Sequence, residues 1–207
     1  MKRTLFAALA LVLIASLAWG WMGALVGGGV AATAPTCTID EDFADALSDW
    51  TNTCGAVTAS SGVGVGNAWA FNLSTSPTSI GSANQTATFR VNVPATGNSN
   101  DLGGVALRIS TSTGYVGGIA GNGVAIIKAA DSCSADTFIG SGDTYAAGWH
   151  DVEFSVNGTT LTLTIDGGTP VVRTNSTYST GNSAGAWIRR SADNSALEVD
   201  DLCVNIY

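Results

Sequence analysis

The sequence predicts an all-β protein built from two stacked antiparallel sheets, and three observations carry that expectation. The first is residues 149–167, WHDVEFSVNGTTLTLTIDG, where Val152, Phe154 and Val156 alternate with Asp151, Glu153 and Ser155, and Leu161, Leu163 and Ile165 alternate with threonines. Period-two patterning on both sides of Asn157-Gly158 marks a β-hairpin, because both central residues of a two-residue type I′ turn take positive φ. One face of each strand is apolar, so the hairpin is expected to lie in a sheet packed on one side and wet on the other. The second observation is that short alternating segments separated by Gly, Asn and Ser clusters continue along the whole chain after Pro35. The third is the lack of any helical periodicity in those residues.

Taken in order, the segments expected to be strands are residues 68–73, 86–93, 105–110, 115–120, 124–129, 150–156, 161–166, 185–189 and 196–206. A single open sheet of that many strands would leave a large apolar face uncovered, hence the two layers. Parity then sorts side chains. Ala87, Phe89, Val91 and Val93 point to the core and Thr88, Arg90 and Asn92 away from it. Val105, Leu107 and Ile109 oppose Ala106 and Arg108, and Trp69 joins Phe71 and Leu73 as a core residue. With Ala186 and Ile188 inward, Trp187 and Arg189 face outward. The hairpin is expected between the strand at 123–129 and the strand at 185–189.

The chain has 207 residues, charged residues at 12% and a formal net charge of −8, with 8 Lys and Arg against 16 acids. That length suits one all-β domain with a short appendage. So few cations leave no basic surface to neutralise phosphates, which argues against nucleic acid and against acidic membrane surfaces as partners. Lys2 and Arg3 precede an apolar run over residues 5–18, and no acid occurs before Asp40. This is the pattern of a signal peptide, cleaved after Ala18 or Ala32. A retained anchor is the alternative, since the uncharged stretch runs on through Trp19, Trp21 and Met22 to Val26, and about 20 residues suffice to span a bilayer. Residues 1–34 are thus assigned to a signal peptide or membrane anchor plus a small-residue linker, and residues 35–207 to the β-sandwich. Membrane contact is expected only through the N-terminal segment if it is uncleaved, and the location is secreted or extracellular surface.

Four cysteines fit an oxidising compartment and two disulfides. Three pairings are open. First and last strands of a sandwich often lie together, which favours Cys37 with Cys203 and leaves Cys54 with Cys133. A zinc site is the weaker reading, because no CxxC pair occurs and His150 is the single histidine.

Several pieces in fixed order carry a family resemblance: Glu41-Asp42-Phe43 followed by Trp50, GVALRISTSTGY over residues 104–115, GVAIIKA over 123–129, Gly148-Trp149-His150, residues 181–186, and Val199-Asp200-Asp201-Leu202-Cys203-Val204. From about residue 40 to the end, the chain resembles the concanavalin-A-like jelly rolls, particularly the laminin-G-like and related sugar-active sandwiches. The resemblance implies two curved sheets whose concave face or rim loops bind glycans or protein ligands, frequently with a structural calcium ion.

Glycan binding uses aromatic platforms beside directional polar groups. Trp187 and Arg189 are the first candidates, followed by Tyr115, Tyr145 and Arg108 on segments that the resemblance places at sheet edges or loops. Asp40 to Asp42 and Asp200-Asp201 converge if first and last strands pair, and hard carboxylate ligands suit calcium, with Asp42, Asp200 and Asp201 the candidate ligands. Exposed acids that discourage edge-to-edge aggregation explain the same residues. Asp151 and Glu153 share one strand face at a spacing near the roughly 5–5.5 Å of a retaining glycosidase pair. Hydrolases of the resembled fold carry a Glu-x-Asp-x-x-Glu motif that is absent here, so a solvated strand face accounts for the pair. His150 is read as structural, and no triad can be inferred from one sequence. Sequons begin at Asn72, Asn84, Asn157 and Asn175, which a chain rich in Asn, Ser and Thr produces by chance. The glycine runs at 62–66 and 117–123 lack the strand-glycine-helix context of a nucleotide site and are read as turns or tight strands.

The expected function is a secreted or surface-displayed, non-catalytic carbohydrate-binding or adhesion module with a glycan or cell-surface ligand as partner. The alternative is a structural subunit of an extracellular filament or virion whose sandwiches pack against copies of themselves. A glycoside hydrolase ranks third.

Overall fold

Fifteen strands, all paired antiparallel, make up the computed structural model, which describes residues 36–45, 47–66, 71–76, 78–190 and 197–206. In chain order they are β1 Ile39–Glu41, β2 Thr51–Asn52, β3 Val57–Ser60, β4 Val63–Gly66, β5 Phe71–Thr75, β6 Gln85–Val93, β7 Leu102–Ser110 and β8 Thr113–Ala120. There follow β9 Val124–Ser132, β10 Ala135–Thr144, β11 Gly148–Asn157, β12 Thr160–Ile165, β13 Val171–Thr174, β14 Ser183–Arg189 and β15 Glu198–Ile206. Sheet A runs β13-β12-β11-β6-β15-β4-β3 with β1 also on β15, and sheet B runs β10-β9-β8-β7-β14-β5-β2. The protein is a two-sheet antiparallel jelly-roll sandwich. No helix among the described residues is long and apolar enough to cross a membrane. The expectations for residues 1–34, for Trp69 and for strand residues 68–70 and 196 lie outside the described residues.

The main core forms where the inward faces meet: Ala87, Phe89, Val91 and Val93 from β6, Val152, Phe154 and Val156 from β11, and Leu161, Leu163 and Ile165 from β12 pack against Val105, Leu107, Ile119 and Ile127 of sheet B. Period-two parity therefore placed these side chains correctly. Packing at the centre is tight enough to require a glycine, since a Cβ on Gly117 would meet the Phe154 ring at 2.4 Å.

Three expectations are corrected. The hairpin pairs Val156 with Leu161 and Asn157 with Thr160, so its turn residues are Gly158 and Thr159, with positive φ at Gly158 but not at Asn157. This register sets three apolar pairs across the hairpin, 156 with 161, 154 with 163 and 152 with 165; a turn at Asn157-Gly158 would put Val156 opposite Thr159 and His150 opposite Ile165. Cross-strand packing outweighs the preference of Asn-Gly for a turn centre. The hairpin also lies beside β6 and β13 in sheet A, whereas β9 and β14, its expected neighbours, belong to sheet B. Finally, Ile109 leaves the main core. A register shift between Leu107 and Ser110, with Arg108 at φ 54°, turns Ile109 to the face of Ala106.

Both expected disulfides are present, Cys37–Cys203 and Cys54–Cys133. The first accompanies the pairing of β1 with β15, Ile39 opposite Val204 and Asp40 opposite Cys203. The second accompanies a strong curl of sheet B. Asp136 of β10 meets Arg189 of β14 at 3.2 Å although β9, β8 and β7 lie between their strands. In a flat sheet those strands would be about 19 Å apart. The curl closes around a second apolar cluster on the face turned away from the main core: Leu102, Ala106, Ile109, Val116, Ile126 and Trp187 with Cys54.

Candidate functional site

The concave face of sheet B, where the resemblance places a glycan, is filled by that second cluster. Trp187 points away from the main core as parity required, yet it is 0% exposed, so it presents no platform to a ligand. Arg189 is tied to Asp136, which also takes both hydrogen bonds of the Lys128 ammonium at 3.1 Å. Tyr115 is likewise buried in the main core, where its hydroxyl donates to Asn175 and accepts from the Tyr178 backbone N–H at 2.9 Å. Arg108 is buried at the bulge, its guanidinium donating to the carbonyls of Ala83 and Tyr178 and to Asn84 Oδ1, while its backbone N–H donates to Gln85 Oε1. Burial lowers its pKa, and these acceptors satisfy it in place. Tyr145 is half-buried and packs edge-on against His150. Four of the five expected ligand-binding side chains thus hold the fold together, and the fifth supports a neighbour.

The expected calcium ligands are engaged within the protein. Asp42 Oδ1 accepts from the Ala44 N–H, Asp200 Oδ1 accepts from the Asp201 N–H, and the Asp201 carboxylate faces Arg90 at 3.5 Å, so one member of the set is already matched with a cation. Burial, aided by the negative charges of Asp201 and Asp42, raises the Asp200 pKa. Among the described residues no group of three or more His, Cys, Asp or Glu is arranged to hold a metal. A melting temperature unmoved by a chelator is the expected outcome of differential scanning with and without EDTA.

An open groove of about 390 Å³ lies instead on the outer face of sheet A, lined by Thr88, Arg90, Asp151, Glu153, Thr164, Gly167 and Asp201 among others. Strand alternation builds it: β11 sends Trp149, Asp151 and Glu153 outward, and the pairings Asn92 with Trp149, Arg90 with Asp151 and Thr88 with Glu153 set β6 beside them. Trp149 is 36% exposed, with the Arg90 guanidinium 4.8 Å from its ring centroid. Arg90 is itself held between Asp151 at 3.7 Å and Asp201 at 3.5 Å. Asp201 reaches it because β15 is bulged between Asp200 and Cys203, with Asp201 at φ 51°. The result is an indole whose one face is fixed by a clamped guanidinium. Neither Trp149 nor Arg90 was singled out from sequence, although the period-two spacing from Trp149 to Asp151 and Glu153 was there to be read.

His150 holds Asp166, the neighbour of the groove residue Gly167. Its Nε2 faces the Ala146 carbonyl at 2.8 Å and its Nδ1 faces Asp166 Oδ2 at 2.7 Å. A carbonyl and an ionised carboxylate both only accept, so the protonated imidazole, which donates from both ring nitrogens, matches both partners. Burial works against that charge, but the hydrogen bonds to Asp166 and Ala146 and the charges of Asp166 and Asp151 outweigh it, and the pKa is raised above 6.5. Burial similarly opposes the Asp166 carboxylate, and the His150 and Asp151 N–H bonds outweigh it in the other direction. A raised folded-state value contributes stability below pH 6.5 that disappears as pH climbs through the folded pKa. The melting-temperature gap between wild type and His150→Gln is therefore expected to be widest near pH 5–6 and to narrow above it; a gap that widens toward pH 9 would contradict the assignment.

Comparison with known proteins shows the fold and no more. No family model matches the chain, and no curated protein does. Among solved structures the chain is similar to the carbohydrate binding module CBM66 from Bacillus subtilis, at a TM-score of 0.58 and 14% identity, over 76% of this chain and 95% of that one. It is also similar to the GH43 protein BlXynB from Bacillus licheniformis, at a TM-score of 0.54 and 10% identity over 81% of this chain, and it spans only 39% of the length of that protein.

Proposed function

We propose that the chain is a secreted or surface-displayed carbohydrate-binding module of the concanavalin-A-like, laminin-G-like kind, which takes a glycan in the groove along β11 without cleaving it. The observation that carries this reading is the exposed Trp149, stacked by Arg90, which itself lines an open groove together with the hydroxyls of Thr88 and Thr164 and the carboxylates of Asp151, Glu153 and Asp201. A sugar offers an apolar face to an indole and needs directional partners for its hydroxyls; Trp149 supplies the first and the adjoining groove the second. The sandwich fold shared with a carbohydrate binding module supports the reading, as do the two disulfides, which suit an extracellular setting. Cleavage has less support. The Asp151 side chain is 84% exposed and so lacks the enclosed, apolar surroundings in which a glycosidase keeps its general acid.

Trp149→Ala tests the proposal. It is expected to weaken glycan binding about tenfold or more, the effect of losing roughly 1.4 kcal/mol of stacking, while the unfolding midpoint moves little because the side chain is exposed. Unchanged affinity would contradict it. The structural-subunit reading has one observation in its favour: Phe138 on the sheet-edge strand β10 and Val172 on the sheet-edge strand β13 are 59% and 48% exposed. Exposed apolar side chains on edge strands invite pairing between copies. Ordered polymers of purified protein under the electron microscope would support that reading, and monomers alone would dismiss it.

A further inference from the structure

Resting on the carbohydrate reading, we infer that Glu153, flanked by Thr88 and Thr164, is the hydroxyl-reading subsite of the groove, and that its ligand is an uncharged sugar with two neighbouring hydroxyls rather than a uronate- or sulfate-bearing glycan. Register places the three residues in one row across sheet A, since Glu153 pairs with Thr88 of β6 on one side and with Thr164 of β12 on the other. All three line the groove. The row is about 10 Å long at ordinary strand spacing, the width of a sugar ring with its substituents.

The neighbouring carboxylates Asp151 and Asp201 are matched with Arg90, but among the described residues no hydrogen bond or ion pair engages the side chains of Glu153, Thr88 or Thr164. A free carboxylate with two oxygens accepts from two adjacent hydroxyls at once, and each threonine can donate to or accept from a third. The row therefore complements a neutral polyol.

Charge argues the second half. Arg90 is the single cation lining the groove, and it faces two carboxylates while Glu153 adds a third. The other cationic side chains among the described residues are engaged elsewhere: Lys128 and Arg189 with Asp136, Arg108 with buried carbonyls, Arg173 with the carbonyls of Val172 and Ser141, Arg190 with that of Gly66, and His150, when protonated, with Asp166 and the Ala146 carbonyl. A carboxylate or sulfate on the ligand would meet like charge with no free donor cation, on a chain whose net charge is already −8.

Binding of wild type, Glu153→Gln, Thr88→Val and Thr164→Val to β-glucan, galactomannan, polygalacturonate and a sulfated polysaccharide tests the inference, with circular dichroism as the folding control. Glu153→Gln keeps the shape and removes the charge, so it should weaken binding to a neutral polysaccharide about tenfold. Each threonine variant should weaken it a few-fold, and wild-type affinity should be insensitive to salt. Tighter binding of either polyanion, lost as salt rises, would overturn the inference while leaving the carbohydrate reading intact. So would a Glu153→Gln affinity equal to wild type where Trp149→Ala abolishes binding. Failure to bind any of the four would remove the carbohydrate reading and this subsite together.

Discussion

Replacing Trp187 by alanine is expected to lower unfolding stability by about 3–5 kcal/mol and to leave glycan binding by the remaining folded protein unchanged. The indole is fully buried in the small cluster beneath the curled face of sheet B, among Leu102, Ala106, Val116 and Ile126. Truncation would open a cavity in a region stapled by Cys54–Cys133 and bridged by Asp136 with Lys128 and Arg189, which cannot readily collapse. Denaturant unfolding gives the stability, and binding measured well below the transition gives the affinity. An unmoved midpoint with abolished binding would show that the concave face, not the groove on sheet A, meets the ligand.

The second large effect concerns the Cys37–Cys203 bridge, which joins residues 166 apart. Closing so long a loop restricts the unfolded chain, so Cys37→Ser with Cys203→Ser is expected to cost up to about 5 kcal/mol in the chain-entropy picture. Loss of the bridge also loosens the short strand β1, whose three pairings with β15 then rest on backbone hydrogen bonds and the packing of Ile39 in the main core. For the bridge between Cys54 and Cys133, 79 residues apart, the same picture gives a slightly smaller cost. Reductant should accordingly lower the melting temperature of wild type by many degrees and that of the Cys37→Ser, Cys203→Ser variant by less. Equal melting temperatures for oxidised and reduced wild type would contradict the structural role of both bridges.

Much of the fold could be read from alternation. The inward faces of β6, β11 and β12 follow period two without interruption, and their side chains pack where parity put them. What alternation cannot report is whether the second face of a sheet is wet. A clue to that lay in β7, LGGVALRIS, and β9, VAIIKAADS, whose runs are almost continuously apolar and whose residues are buried on both faces. Read that way, Trp187 on the neighbouring β14 belongs to a second core, and the glycan platform moves elsewhere.

Other misses have similarly local causes. Strand β10, ADTFIGSGDT, alternates poorly because it is an edge strand with mostly exposed residues. Strand β4, VGVG, hides its core position behind a glycine, since a Cβ on Gly64 would meet the Phe43 ring at 2.8 Å. Arg108 sits at a bulge, and a bulge breaks the parity count for everything after it. Site residues are harder still. The clamp on Trp149 needs Arg90 from β6 and Asp201 from β15, and only strand order and a second bulge bring them together.

The most direct test of where this protein meets its ligand is a titration of isotope-labelled protein with a neutral oligosaccharide, followed by backbone and indole NMR shifts. Perturbations confined to Thr88, Arg90, Trp149, Glu153 and Thr164, with the Trp187 indole unmoved, are the predicted result. Shifts centred on Trp187, Ala106 and Val116 instead would contradict the assignment of the site to the outer face of sheet A.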